Sequence, residues 1–173
     1  KRPDGRIVLL GVDDVSVPEP LRPKNGEILL QADGPDHWLA VAERPADWVS
    51  FGASVVRAVP PGTVSFATVP GPAELREFLT GWRLAGYGFP TNPKPVRQLV
   101  VPDGAGAEAM ARTDATIAAR DLVNTPSNTK NPQWLVRRAR EVARRTGAEI
   151  EVLGVPQLRA GGFGGVLAVG SGS

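Results

Sequence analysis

The chain has 173 residues, room for one domain or for one and part of a second. Its 42% hydrophobic and 22% charged composition is that of a globular protein and excludes collagen, a coiled coil and a disordered tail. It holds no Cys, which removes disulfides, thiolate metal sites and Cys nucleophiles, and twenty Lys and Arg against eighteen Asp and Glu leave +2, too weak an overall field to drive non-specific nucleic-acid binding.

In chain order, Arg6–Val12, Glu27–Ala32 and His37–Ala42 are short apolar runs bounded by Gly, Pro, Asp or Asn, the pattern of strands. Trp48, Phe51, Val55 and Val59 then recur every three or four residues on one helix face, and Pro60 and Pro61 stop that helix. Thr63–Val69 returns to strand character. Pro72 opens a second helix with Leu75, Phe78, Leu79 and Trp82 as its stripe, and Val96–Pro102 supplies another strand. The alternation predicts an α/β layer domain over residues 1–105, closed at the Gly104–Gly106 stretch.

Residues 106–124 read as a connecting helix, with Met110, Ile117 and Val123 among small alanines. Pro126 and its Asn and Ser neighbours break it. Asn131 caps a new helix at Pro132 whose stripe is Leu135, Ala139, Val142 and Ala143, and Gly147 can end it in the left-handed conformation. Ala148–Val155 is expected as a strand, Pro156–Gly162 as a short helix and Gly165–Gly170 as a second, parallel strand. Residues 125–173 would thus form the first βαβ part of another α/β layer. Two parallel strands under one helix leave a sheet face bare, so further polypeptide is expected to follow this part or lie beside it. No run of about 18 apolar residues suits a membrane span, and no basic stub precedes an apolar stretch, so neither an anchor nor a signal peptide is expected.

Candidate chemistry is sparse. His37 is the one histidine, so a His cage is excluded and a Ser-His-Asp triad would have to pass through it, with Asp33 or Asp36 beside it; a histidine at a turn before an apolar strand reads instead as an edge residue. Asp13 and Asp14 sit where a strand becomes a turn. Glu149 and Glu151 alternate with Ile150 and Val152 as the outward face of a strand. The glycines of Gly161–Gly172 invite a phosphate-loop reading, but the Lys and Ser/Thr of such a loop are missing and the segment leads into a strand rather than from one. Arg137, Arg138, Arg140, Arg144 and Arg145 crowd one helix and could meet phosphates; Glu141, four residues before Arg145, favours a solvated, ion-paired face. Trp38, Trp48, Trp82 and Trp134 lie in apolar patterns and read as core rather than as a base-stacking platform.

One segment carries more. Ala119–Asn128 ("ARDLVNTPSN") and Gly161–Ser173 ("GGFGGVLAVGSGS"), with a helix and strand between them, resemble the opening of the catalytic domain of the leucyl, or cytosol, aminopeptidases, and Gly81–Lys94 ("GWRLAGYGFPTNPK") resembles a helix-end pattern of the same family; together they cover about 70 of the 173 residues. The resemblance implies a macro-like N-terminal α/β domain over 1–105, a connecting helix over 106–124 and an incomplete catalytic α/β domain over 125–173. It also implies a cytoplasmic homohexamer that removes N-terminal residues from peptides with two divalent metal ions, zinc or manganese, which would acidify a bridging water and polarise the scissile carbonyl. The family's metal-binding strings, such as "NTDAEGR" and "TFDSGG", do not occur here, so no catalytic, cofactor-binding or metal-binding residue is assigned to this chain. The expectation is the N-terminal part of such a peptidase, inactive by itself and completed by the remaining catalytic polypeptide. The alternative is a non-catalytic module contacting nucleic acid or a partner subunit through the arginine-rich helix.

Overall fold

In the computed structural model, residues 6–11, 28–32, 37–42 and 45–171 are described. The chain divides into two compact units, Lys1–Leu122 and Val123–Ser173.

The first unit is α/β. Its strands are β1 (Arg6–Gly11), β2 (Leu29–Ala32), β3 (His37–Ala42), β4 (Thr63–Phe66) and β5 (Gln98–Leu99), in the sheet order β2-β3-β1-β4-β5. β1 runs parallel to β3 from Arg6↔His37 to Gly11↔Ala42 and parallel to β4 from Arg6↔Thr63 to Leu9↔Phe66, whereas β2 joins β3 antiparallel. Parallel neighbours need crossover connections. Here α1 (Trp48–Ala58) carries the chain from β3 to β4, and α2 (Pro72–Gly86) carries it from β4 to β5. The strand expected over Val96–Pro102 pairs only at Gln98–Leu99, against Thr63 and Val64 of β4. Gln98 N–H donates to Gly62 O at 2.9 Å and Val100 N–H to Val64 O at 2.8 Å, and there the ladder ends.

Both crossover helices are capped at their starts. The Asp47 carboxylate accepts from the amides of Val49 (2.9 Å) and Ser50 (3.1 Å) and from the Ser50 hydroxyl (2.6 Å). Those bonds, the Ser50 hydroxyl foremost, hold its pKa below the usual aspartate value. Pro72 occupies the first turn of α2, and Glu74 Oε2 accepts from Gly71 N–H at 3.0 Å.

The two apolar stripes then meet. Phe51, Val55, Val56 and Val59 pack with Phe78, Trp82, Ala42 and Val64 in one cluster, with Trp48 and Phe66 partly buried against it. Phe78 lies at the centre of an aromatic group, edge-on to Phe51 and Phe66 and stacked on Trp82. Two glycines allow so close a crossing. A Cβ on Gly52 would sit 2.9 Å from Trp82 N, and one on Gly81 would sit 2.7 Å from the carbonyl carbon of Val49, both backbone atoms of the opposite helix.

The connecting helix α3 (Ala107–Asn124) spans the expected residues, but the side it buries differs from the expected stripe. Ala109 and Thr113 are fully buried, Ala109 against Leu75 and Leu79, while Met110 and Ile117 are half-buried and Val123 is exposed. Small side chains let α3 approach closely at the point where Gly106 meets Leu79. The Thr113 hydroxyl donates to Ala109 O at 2.7 Å, so nothing polar is left unpaired there.

The second unit holds α4 (Pro132–Thr146), α5 (Val155–Ala160) and α6 (Gly164–Gly170). α4 has the expected ends: Asn131 Oδ1 accepts from Trp134 N–H at 2.8 Å, and Gly147 stops the helix at φ 73°. Two expectations fail. Ala148–Gly154 makes no strand ladder, and Gly165–Gly170 is helical, so among the described residues the βαβ unit is absent and Val123–Ser171 is all helix and loop. A strand needs a hydrogen-bonded neighbour to satisfy its backbone, and none lies beside these residues. Local helical bonds serve instead, Leu167 N–H to Phe163 O and Ser171 N–H to Leu167 O.

Candidate functional site

The two resemblance segments of the first unit touch. An α-helix leaves its last carbonyls without intrahelical partners, and at the end of α2 these are taken by cations from elsewhere. Arg120 Nη1 of α3 donates to Leu84 O at 2.9 Å, and Lys94 Nζ donates to Ala85 O at 2.8 Å, positive charge meeting the negative end of the helix. The Tyr87 hydroxyl donates to Asp121 Oδ1 at 2.7 Å, and the Arg120 guanidinium lies 5.6 Å from the centre of the Tyr87 ring. Farther up the seam Arg83 engages Asp114 and the Met110 sulfur, and Arg76 meets Glu108 at 3.4 Å. In Gly81–Lys94 the glycine sets the helix crossing while Tyr87 and Lys94 tie the helix end. In Ala119–Asn128, Arg120 and Asp121 answer them.

Two clefts on this unit are formed by described residues. One, of about 550 Å³, lies at the starts of α2 and α3 and is lined by Val69, Leu75, Arg76, Asp103 and Glu108 among others; its single cation is paired to Glu108. The other, of about 250 Å³, is lined by Val56, Trp82, Tyr87, Lys94, Arg97 and Ile117 among others. Arg97 Nε donates to Val59 O at 2.8 Å and Nη1 to Pro95 O at 3.1 Å. Burial lowers its pKa, and a guanidinium remains charged regardless.

In the second unit α4 carries its five arginines exposed. The expected pair between Glu141 and Arg145 is not formed. Glu141 is taken by Arg138 Nη1 at 2.6 Å, whose guanidinium lies 5.4 Å from the Trp134 ring and is held there along the helix surface. The apolar stripe of α4 is not buried: Leu135 is 54% and Val142 44% exposed. Ile150, Val152, Leu153, Val155, Phe163 and Val166 are exposed as well, more apolar surface than a small unit ordinarily shows to water.

The Gly-rich segment begins by closing a helix. Gly162, at φ 74°, donates from its amide to Arg159 O, and Phe163 N–H donates to Leu158 O at 3.0 Å, a left-handed cap that ends α5. The amides of Gly161, Gly162, Phe163 and Gly164 all donate to nearby carbonyls.

His37 opens β3 opposite Arg6 in the backbone register, while Asp13, Asp14, Asp33 and Asp36 lie outside the described residues. Glu149 and Glu151 are exposed, on a loop rather than a strand. Trp82 and Trp134 are buried and Trp48 is half-buried, as core residues should be. Among the described residues no three His, Asp or Glu side chains gather to hold a metal ion. Nor is any described helix long and apolar enough to cross a membrane.

Residues 117–173 match the model of the cytosol aminopeptidase family, catalytic domain. A probable cytosol aminopeptidase of Nocardia farcinica is 36% identical over 129 residues, covering 65% of this chain and 26% of that protein. One from Xanthobacter autotrophicus is 34% identical over 153 residues, covering 75% and 30%. Over 55 residues a third, from Syntrophotalea carbinolica, reaches 51%. The crystal structure of the cytosol aminopeptidase of Coxiella burnetii shares the fold, with a TM-score of 0.71 at 15% identity over 92% of this chain and 40% of that one. The chain therefore spans about a quarter to a third of the length of the relatives it matches.

Proposed function

Since this chain belongs to the cytosol, or leucyl, aminopeptidase family, we propose that it is the N-terminal part of a metal-dependent peptidase that removes N-terminal residues from peptides. The observation that carries the reading is the catalytic-domain match over residues 117–173, which begins inside α3. In this reading 1–105 is a macro-like α/β domain, 106–124 a connecting helix and 125–173 the opening of the catalytic domain. The exposed stripe of α4 and the apolar surface of residues 150–166 support it, because an unburied face of that size fits the seat of the remaining catalytic polypeptide. Once neighbours are supplied, Ala148–Gly154 and Gly165–Gly170 gain partners with which to pair as strands. The two divalent ions, zinc or manganese, would be held by carboxylates of that remaining polypeptide. A cytoplasmic homohexamer is the assembly we expect.

The test compares the full-length protein with residues 1–173, both loaded with zinc or manganese, on leucine p-nitroanilide. The full-length protein should hydrolyse the anilide and the shorter chain should not. Hydrolysis by residues 1–173, or none by the full-length protein under either metal, would overturn the reading.

A further inference from the structure

We propose that the smaller cleft of the first unit, between α1, α2, α3 and the loop over residues 87–97, is a binding site for a small organic carboxylate with an apolar body, its charge received by Lys94 and Arg97.

Three observations carry this. Among the lining residues, Arg83, Lys94 and Arg97 are cationic and none is acidic. Asp114 takes the charge of Arg83, but Lys94 and Arg97 have only carbonyl partners among the described residues: Ala85 O for Lys94, and Val59 O and Pro95 O for Arg97. Second, Arg97 is half-buried, and a charge drawn out of water without a counter-ion is costly. Its Nη2 group makes no bond to the protein among the described residues, and a carboxylate accepting from it would offset that cost through the planar fork a guanidinium presents. Third, the other walls are Val56, Trp82, Tyr87 and Ile117, which suit a hydrocarbon or aromatic body. At about 250 Å³ the space is smaller than the roughly 300–1,000 Å³ that drug-sized ligands occupy, which points to a single ring or a short chain. The larger cleft has no such excess, since Arg76 there faces Asp103 and Glu108.

The proposal does not depend on the peptidase reading, and its test uses binding alone. 4-Fluorobenzoate is titrated against the 173-residue chain and followed by fluorine NMR line width, with the neutral 4-fluorobenzamide as control. The benzoate should broaden and the amide should not. Lys94→Gln, at an exposed position, should weaken benzoate binding about tenfold, the worth of one charge-assisted hydrogen bond, and Arg97→Gln should abolish it. If Arg97→Gln fails to fold because Val59 O loses its donor, Lys94→Gln decides. Equal broadening by the amide, unchanged binding in Lys94→Gln, or no broadening in the native protein would each overturn the site.

Discussion

Replacing Gly81 with alanine tests the closest packing in the molecule. The new methyl carbon would lie 2.7 Å from the Val49 carbonyl carbon and 3.0 Å from Ala53 N, where carbon atoms ordinarily keep about 3.5–4.0 Å. Those atoms, and the Val49 carbonyl oxygen that lies closer still, belong to the α1 backbone and cannot swing aside like a side chain, so α1 must retreat by at least about 1 Å. A gap of that order forfeits about a quarter to a half of each dispersion contact across the seam, and the seam is where Phe51, Val55 and Val56 meet Phe78 and Trp82. Overpacking of this kind costs about 1–3 kcal/mol, and contact with backbone belongs at the upper end. Alanine recovers about 0.8–1.0 kcal/mol of helix propensity, leaving a net loss of about 2 kcal/mol. At about 2–4 °C per kcal/mol for a domain of this size, the melting temperature should fall by about 4–8 °C. Circular-dichroism melts and urea titration measure both quantities. Gly86→Ala is the control: it stands in the last turn of α2 with nothing within 4 Å of the added methyl, and should be neutral or slightly stabilising. A Gly81→Ala protein that melts at or above the native temperature would refute the close-crossing argument.

Other outcomes follow from the same geometry. Tyr87→Phe removes the donor to Asp121 and should cost about 0.5–1.5 kcal/mol in urea titration; combined with Arg120→Met, whose guanidinium lies on the same ring, the loss should be non-additive in a double-mutant cycle. Asn131→Ala deletes the cap of α4 and should destabilise the second unit by about 1 kcal/mol, read from its hydrogen-exchange protection. The Asp47 carboxyl keeps its charge to lower pH when folded than when unfolded. Its contribution is therefore complete above the unfolded-state pKa and fades as pH falls through the lowered folded value; acid melts of Asp47→Asn should lack this component. Leu135→Glu and Val142→Glu should change the stability of residues 1–173 by less than about 0.5 kcal/mol, since both are exposed there, but should lower stability and activity of the longer peptidase proposed above if the α4 stripe is covered in it.

Much of the first unit, and the first full helix of the second, is legible in the sequence because the signals are local. β3 runs over the expected His37–Ala42, and both ends of α4 are written by Asn131, Pro132 and Gly147. The apolar spacing of Leu75, Phe78, Leu79 and Trp82 gives the buried face of α2. What fails is what depends on a neighbour. Ala148–Gly154 and Gly165–Gly170 have strand-like composition, but strandedness belongs to a pair, and no partner lies beside them. The salt bridge of Glu141 goes to Arg138 and not to Arg145 because Trp134 offers the former a platform that helix spacing does not reveal. The Gly52–Gly81 crossing and the Arg120 bond to Leu84, 36 residues away, became visible only with the packing. The smaller cleft is of the same kind: Val56, Trp82, Arg97 and Ile117 come from four separate stretches of chain with no motif joining them.

The brevity of β5 bears on how this protein can associate. Two residues of ladder, with Pro93 and Pro95 before them and Pro102 after, give an incoming chain almost no unpaired amides to zip onto. That border of the sheet is blunted against edge-to-edge growth into filaments, so copies meeting on that side must do so through side chains rather than by extending the sheet.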